Sequence, residues 1–309
     1  MNDSSFGYNK QPVEIHGLSK NFGKKTALNN ITLNTSSGRV LGLVGENGAG
    51  KTTLIKHVMG LFKAQEGTVR VFGIDPVQDP VGVLSRIGYL SEDRDLPHWM
   101  RIDELINYTR AFYPDWDDTF AEELRGIFNL DPSARIKELS RGQKAQAALL
   151  IALAYRPPLL LLDEPSSGLD PVVRREILSA IIRTVADEGR TVFFSSHLLE
   201  EVERVADDVA MIHRGEITMC DSLENIKANH HTITLRFSEP IEKAPELPGA
   251  LSIEGKGHEW TALCSGNLDE ICKRARETGC EVLQEDSPTL EDIFVAHIGN
   301  NRTALKEVA

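Results

Sequence analysis

The segment Gly45-Glu46-Asn47-Gly48-Ala49-Gly50-Lys51-Thr52 constrains this chain more than any other, because it fits the pattern G-x-x-x-x-G-K-[ST]. An apolar run at 40–44 precedes it, and a helical pattern at 51–59, closed by Gly60, follows. A strand that turns through such a loop into a helix is the context in which the pattern binds phosphate. Its glycines let backbone N–H groups curl around phosphate oxygens, where a side chain would block the approach. The helix that starts there aims its positive end at the same oxygens. Lys51 then reaches the β/γ oxygens, and the Thr52 hydroxyl suits an octahedral Mg²⁺ shell, with Thr53 beside it. A chance match somewhere in the chain is on the order of one in a hundred, before the flanking strand and helix are counted.

The rest of the chain supports an α/β fold. Short β runs at 13–18, 31–33, 40–44, 69–72, 87–90, 159–162, 192–195 and 209–213 alternate with helices at 51–59, 171–186 and 198–205. That alternation predicts a sheet flanked by helices. Between 94 and 158 the strand signal disappears, which predicts a helical subdomain inserted in the core. From 230 the character changes again: a strand at 232–237, a proline-rich breaker at 239–248, strands at 251–254 and 259–263, a helix at 268–278, a strand at 281–284 and a helix at 290–297. The expected organisation is a nucleotide-binding domain over 1–229 and a small α+β module over 230–309, in keeping with 309 residues.

Charge and composition narrow the function classes. With 34 basic and 46 acidic side chains the net charge is −12, which argues against coating nucleic acid or adhering to an anionic membrane by charge alone. No apolar run reaches the roughly 18–20 residues that cross a bilayer, and the polar stretch 1–11 lacks a signal-peptide core. A soluble, cytosolic chain is expected. Cys220, Cys264, Cys272 and Cys280 match no zinc spacing and are expected to be reduced thiols.

Two further segments point to chemistry. Leu159-Leu160-Leu161-Leu162 reads as a central parallel strand buried on both faces, and it ends in Asp163-Glu164. Carboxylates at that end of a strand sit where open α/β sheets bind ligands. Beside a phosphate loop, Asp163 is placed to hold Mg²⁺ and Glu164 to polarise the water that attacks a γ-phosphate. Ser140 and Gln143, before the apolar helix 145–154, have capping-box spacing, which explains them structurally. Gly142 leaves backbone exposed in the same first turn, and such a helix start is also an anion site.

Taken together these motifs resemble the ATP-binding-cassette family, in particular the nucleotide-binding subunit of a membrane transporter of the bacterial exporter type. Leu139-Ser140-Arg141-Gly142-Gln143 is similar to its LSGGQ signature, with Arg141 at the first glycine. Ser167-Gly168-Leu169-Asp170 resembles its D-loop and His197 its switch histidine, while Phe22 lies where the family stacks an aromatic on adenine. Glu92 ends a segment that in the family closes on glutamine, so the resemblance makes Glu92 a metal contact at the γ-phosphate edge. It implies a P-loop core with an antiparallel β subdomain and an inserted helical subdomain. It also implies ATP and Mg²⁺, a membrane-embedded permease, and a second cassette whose Ser140, Gly142 and Gln143 complete the site across a sandwiched ATP. The chain would then lie on the inner face of the cell membrane through that permease. Ser287-Pro288-Thr289-Leu290-Glu291-Asp292-Ile293-Phe294 resembles the closing motif of the accessory domain in exporter ATPases. Two other classes share the phosphate loop: cassette ATPases acting on nucleic acid or ribosomes, and non-hydrolysing regulatory cassettes. The first carry long coiled coils, paired cassettes or basic surfaces, none evident here, and nonspecific nucleic-acid binding needs clustered positive charge. The intact Lys51, Asp163, Glu164 and His197 set argues against the second.

Overall fold

The computed structural model describes residues 11–186 and 189–304. The polar amino-terminal stretch, expected to hold no leader, lies up to residue 10 outside them. The chain divides into one compact unit ending at Cys220 and another beginning at Asp221. Among the described residues no helix is long and apolar enough to cross a membrane.

In the first unit, β1 (Val13–Phe22), β2 (Lys25–Asn34), β3 (Val40–Val44) and α1 (Lys51–Val58) are followed by β4 (Glu66–Val71), α2 (Pro80–Leu84) and β5 (Ile87–Leu90). The intervening chain is helical: α3 (Ile102–Arg110), α4 (Asp118–Ile127), a 3₁₀ turn at Ile136–Glu138 and α5 (Arg141–Leu153). Then come β6 (Leu159–Asp163), α6 (Pro171–Ala186), β7 (Thr191–Ser196), α7 (Leu199–Val205), β8 (Asp208–His213) and β9 (Glu216–Ser222). The antiparallel set runs β2-β1-β4, and the larger sheet runs β5-β6-β7-β3-β8-β9. Strands β5, β6, β7, β3 and β8 are paired in parallel. Every residue of β3, β6 and β7 is buried, as unbroken apolar runs with helices on both faces require.

The register sets the site. Val44 pairs with Ser196 and Asp163 with Ser195, so β3, β6 and β7 end side by side. The phosphate loop, the acidic pair and His197 each leave one of these three neighbouring carboxyl ends, where α/β sheets bind ligands.

Within this unit α2 and β9 went unseen in the sequence, and β2 was read only in part. The short helix α2 is announced only by Asp79-Pro80, where the Asp79 carboxylate accepts the Gly82 N–H at 2.9 Å and proline takes the first helical position. In β2 the reading stopped at 31–33, because Asn30 takes a left-handed turn (φ 50°) in mid-strand.

The second unit starts with α8 (Leu223–Ala228) and continues through β10 (His230–Ile241), β11 (Ala250–Ser265), α9 (Leu268–Glu277), β12 (Cys280–Asp286) and α10 (Leu290–Ala304). Its sheet runs β11-β10-β12, antiparallel throughout. The long β11 doubles back: Ser265 N–H donates to Gly249 O at 2.8 Å, while Gly255 and Gly257 take φ 147° and 63° at the reversal. It therefore contains two arms, as the sequence predicts at 251–254 and 259–263. Ile233, Leu235, Trp260, Ala262 and Ile271 form a core shared with Cys264, Cys272 and Cys280. All four cysteines are free thiols, and burial pushes Cys264 and Cys272 up to about 11.

Candidate functional site

The phosphate loop is shaped by close backbone packing. Gly50 takes φ 118°, and a Cβ there would lie 2.6 Å from Ala27 O. Gly50 caps α1 without any side-chain bond, and the first turn holds no acidic residue. The first-turn N–H groups are therefore not taken by a side chain, which is the condition for an anion to bind there. Gly48 adds a left-handed turn (φ 81°) with open space where a Cβ would stand.

Lys51 is 5% exposed; its ammonium donates to Gly45 O at 2.7 Å and Glu46 O at 3.3 Å. Across the sheet ends, Glu164 Oε1 lies 3.0 Å from Lys51 Nζ and Glu164 Oε2 lies 2.6 Å from His197 Nδ1. The His197 N–H also donates to Oε2, at 3.3 Å. The carboxylate of Glu164, 4% exposed, is thus held between an ammonium and an imidazole. Its backbone sits at φ 50°, a conformation a non-glycine residue keeps only when its surroundings over-determine it.

Asp163 lies beneath this layer, 1% exposed. The Ser195 hydroxyl donates to Asp163 Oδ1 at 2.7 Å and accepts the Glu164 N–H at 3.0 Å. One serine therefore ties the Asp163 carboxylate to the Glu164 backbone. Burial pushes the neighbouring Tyr89 hydroxyl up to about 12, and the charges of Asp163 and Asp93 add to the effect.

A cavity of about 280 Å³ opens above the loop, lined by Phe22, Asn47, Gly48, Gly50, Lys51, Thr52, Thr53, Glu92 and Glu164, together with Lys25 and Ala27. Nine of the residues singled out in the sequence thus line one cavity. Phe22, 45% exposed, stands edge-on to Phe62 at 5.5 Å with the Lys20 ammonium over its ring. Gly45, Glu46 and Ala49 support the loop instead of lining the cavity; a Cβ on Gly45 would overlap Ile212 O, and Ala49 N–H donates to Glu46 O at 3.1 Å.

Ser140, Gly142, Gln143 and Asp170 do not line it. Ser140 and Gln143 form the reciprocal capping box, at 3.1 and 3.0 Å. Gly142 is buried where a Cβ would press on Val173 at 3.0 Å. Asp170 Oδ1 caps α6 through Val172 and Val173 N–H, at 3.0 and 3.1 Å.

Three residues escaped the sequence reading. Lys25 pairs with Phe22 across the β1–β2 turn, and a lysine in a tight turn carries no signal of its own. Ser195 reads only as a buried strand residue. Arg94, 6% exposed, donates from Nη2 to Pro165 O at 3.1 Å and Ser167 O at 2.9 Å, a role for which sequence offers no pattern.

The donor set fits a nucleoside triphosphate: uncapped amides, a buried ammonium and an aromatic at the mouth. It also fits a hard divalent cation, since Thr52, Asp163 and Glu92 supply only oxygens.

The comparisons with known proteins agree. The family described as ABC transporter matches residues 28–167. The ABC transporter ATP-binding protein YtrB of Bacillus subtilis is 28% identical over 290 residues, 94% of this chain and 99% of that one. The lantibiotic transport ATP-binding protein SrtF of Streptococcus pyogenes is 34% identical over 220 residues, covering 70% of this chain and 94% of the relative. A solved ATP-binding subunit of an ABC transporter superposes with a TM-score of 0.64 at 26% identity, over 70% of this chain and 92% of that one. With its P-loop core, antiparallel sheet and inserted helices, this chain belongs to the ABC transporter family as an ATP-binding, ATP-hydrolysing subunit.

Proposed function

We propose that the chain powers outward transport through a separate membrane-embedded permease, held at the inner membrane face by that permease, and that it works as one of two cassettes. The observation that carries the chemistry is the Glu164 carboxylate held 3.0 Å from Lys51 Nζ and 2.6 Å from His197 Nδ1. In this reading Lys51 and the first-turn amides of α1 bind the phosphates, and Phe22 meets the base. Glu164 takes the proton of the attacking water as its oxygen bonds to the γ-phosphorus and the bond to the β,γ-bridging oxygen breaks, releasing ADP and phosphate. His197 orients that carboxylate. Thr52, Asp163 and Glu92 would hold Mg²⁺, which when bound neutralises charge on the phosphate oxygens.

The second cassette follows from where the signature lies. Ser140, Gly142 and Gln143 stand outside the cavity of Lys51, yet they present a helix start suited to phosphate. Supplied by a partner, they would close the site. Outward transport is supported by the second compact unit, which resembles the accessory module of exporter ATPases. The relative SrtF is named for lantibiotic transport, which makes lantibiotics one class of cargo to test.

The test is steady-state phosphate release. Glu164→Gln should bind ATP while turnover falls by roughly 10²–10⁴-fold. Normal turnover in that variant would place the base elsewhere.

A further inference from the structure

The turn Pro165-Ser166-Ser167-Gly168, which carries the chain away from Glu164, is held from several sides by charged side chains. Arg94, in the loop after β5, grips its backbone: one Nη2 serves Pro165 O at 3.1 Å and Ser167 O at 2.9 Å. Glu201, on α7 and 3% exposed, grips the side chain between those carbonyls, since the Ser166 hydroxyl donates to Glu201 Oε2. The same oxygen accepts the Ser196 hydroxyl at 3.2 Å, while Oε1 lies 3.2 Å from Arg174 Nε on α6. Ser166 is two residues after Glu164, and Ser196 is the residue before His197. A single buried carboxylate oxygen therefore ties the chain leaving the carboxylate to the chain entering the imidazole.

The physical need is plain. The contact between Glu164 and His197 is made by two residues on separate strand ends, and Glu164 holds a left-handed backbone. Such a conformation persists only when its neighbours leave it no alternative. A misplacement on the order of 1 Å in a reacting pair can cost about 10²-fold in rate. A buried carboxylate whose Oε2 accepts two hydroxyls is a stiff anchor, because releasing either serine leaves desolvated charge less well satisfied.

We propose that Glu201 and Arg94 are positioning residues for hydrolysis, clamping the turn 165–168 so that Glu164 and His197 stay in register; this rests on the reading of Glu164 as the base. Neither residue lines the cavity at Lys51. Their effect is therefore expected in kcat and not in nucleotide binding.

The experiment uses the full chain and small substitutions. Ser166→Ala and Ser196→Ala each remove one hydroxyl from Glu201, Arg94→Lys ends its donor nitrogen short of the Nη2 that serves both carbonyls, and Glu201→Gln keeps the shape without the charge. Turnover, KM for ATP, affinity for a fluorescent ATP analogue and melting temperature are measured for each. The expected result is a fall in kcat of about 10-fold or more for Ser166→Ala and Arg94→Lys, with analogue affinity within about two-fold of wild type, and a deeper fall for the double variant Ser166→Ala/Ser196→Ala. Folded variants whose kcat stays within about two-fold of wild type, or whose kcat falls only in step with analogue affinity, would overturn the clamp. Glu164→Gln runs in the same assay. If it hydrolyses normally, the underlying reading has failed; if it is inactive while the serine variants are normal, only the clamp has.

Discussion

At the scale of single residues the site is a charge balance. Lys51 and Glu164 are buried partners 3.0 Å apart, so an arriving phosphate competes with Glu164 for the ammonium. Removing one member of such a pair leaves the other as uncompensated buried charge. Lys51→Ala is thus expected to lose productive ATP binding. A charge-assisted bond of about 1.5–3 kcal/mol corresponds to roughly 10–100-fold in affinity. Glu164→Gln releases Lys51 without removing it and should bind ATP at least as tightly as wild type. Titration with a fluorescent nucleotide checks both; near-wild-type affinity in Lys51→Ala would remove the phosphate-loop assignment. Lys51 and Glu164 were legible in the sequence because their chemistry depends on local spacing. Ser195 was not, because its importance comes from a strand neighbour 32 residues away in sequence.

At the scale of elements, two departures from the family pattern fall together. Glu92, in place of glutamine, and Arg141, in place of glycine, line one cavity of about 210 Å³ with Asp93, Arg94 and Lys144. The Arg141 guanidinium also occupies the space a Cβ on Gly168 would need. Burial and the Arg141 charge hold the Arg94 guanidinium below its usual range, and Glu92 opposes them. Losing Glu92 alone therefore leaves the partly desolvated Arg94 facing Arg141 without a counterweight, whereas losing Arg141 relieves it. ATPase assays should show that Glu92→Gln lowers turnover and that adding Arg141→Gly to it recovers part of the loss. Strict additivity would separate the two positions.

The second unit makes a prediction of its own at this scale. His230 Nδ1 bonds Ile226 O of α8 at 2.7 Å, and its Nε2 faces His297 Nε2 of α10 at 3.1 Å. Burial, then the neighbouring His230, holds the pKa of His297 below the ordinary histidine value of 6.5. The unfolded chain then binds more protons than the folded one. Stability is fully present above about 6.5, is lost as pH falls through that value, and levels off below the folded pKa. Melting curves of the full chain at pH 7.5 and 5.5 should show a drop that His297→Gln reduces. An equal drop in both would acquit the pair.

For the whole molecule the question is assembly. One chain brings Lys51, Thr52 and Glu164 to a cavity that Ser140 and Gly142 do not line. A net charge of −12 per chain opposes self-association. Nucleotide is expected to reverse the balance, because its phosphates meet a helix start from each cassette. Sedimentation of Glu164→Gln protein should show dimers with Mg-ATP and monomers without it. Mixing Ser140→Arg with Lys51→Ala chains should then restore some activity, since one composite site of the mixed dimer is intact. Monomers under both conditions, with no recovery on mixing, would rule out a homodimeric sandwich and leave pairing with a different cassette.

Local chemistry was enough to expose the phosphate loop, the buried Leu159–Leu162 strand with its acidic end, the capping box at Ser140 and even the two arms of β11. In each case a few neighbouring residues set backbone conformation, burial or charge by themselves. The sequence likewise carried the family, since those short patterns occur in one order along the chain. Tertiary structure alone decided that Glu164 rests between Lys51 and His197, that Ser195 links the Asp163 carboxylate to the Glu164 backbone, and that Arg94 and Glu201 close on the turn that follows Glu164. Those contacts join residues from 31 (Glu164 to Ser195) to 113 (Lys51 to Glu164) positions apart. They exist because parallel pairing sets β3, β6 and β7 at one level, and no periodicity along the chain encodes which strand lies beside which.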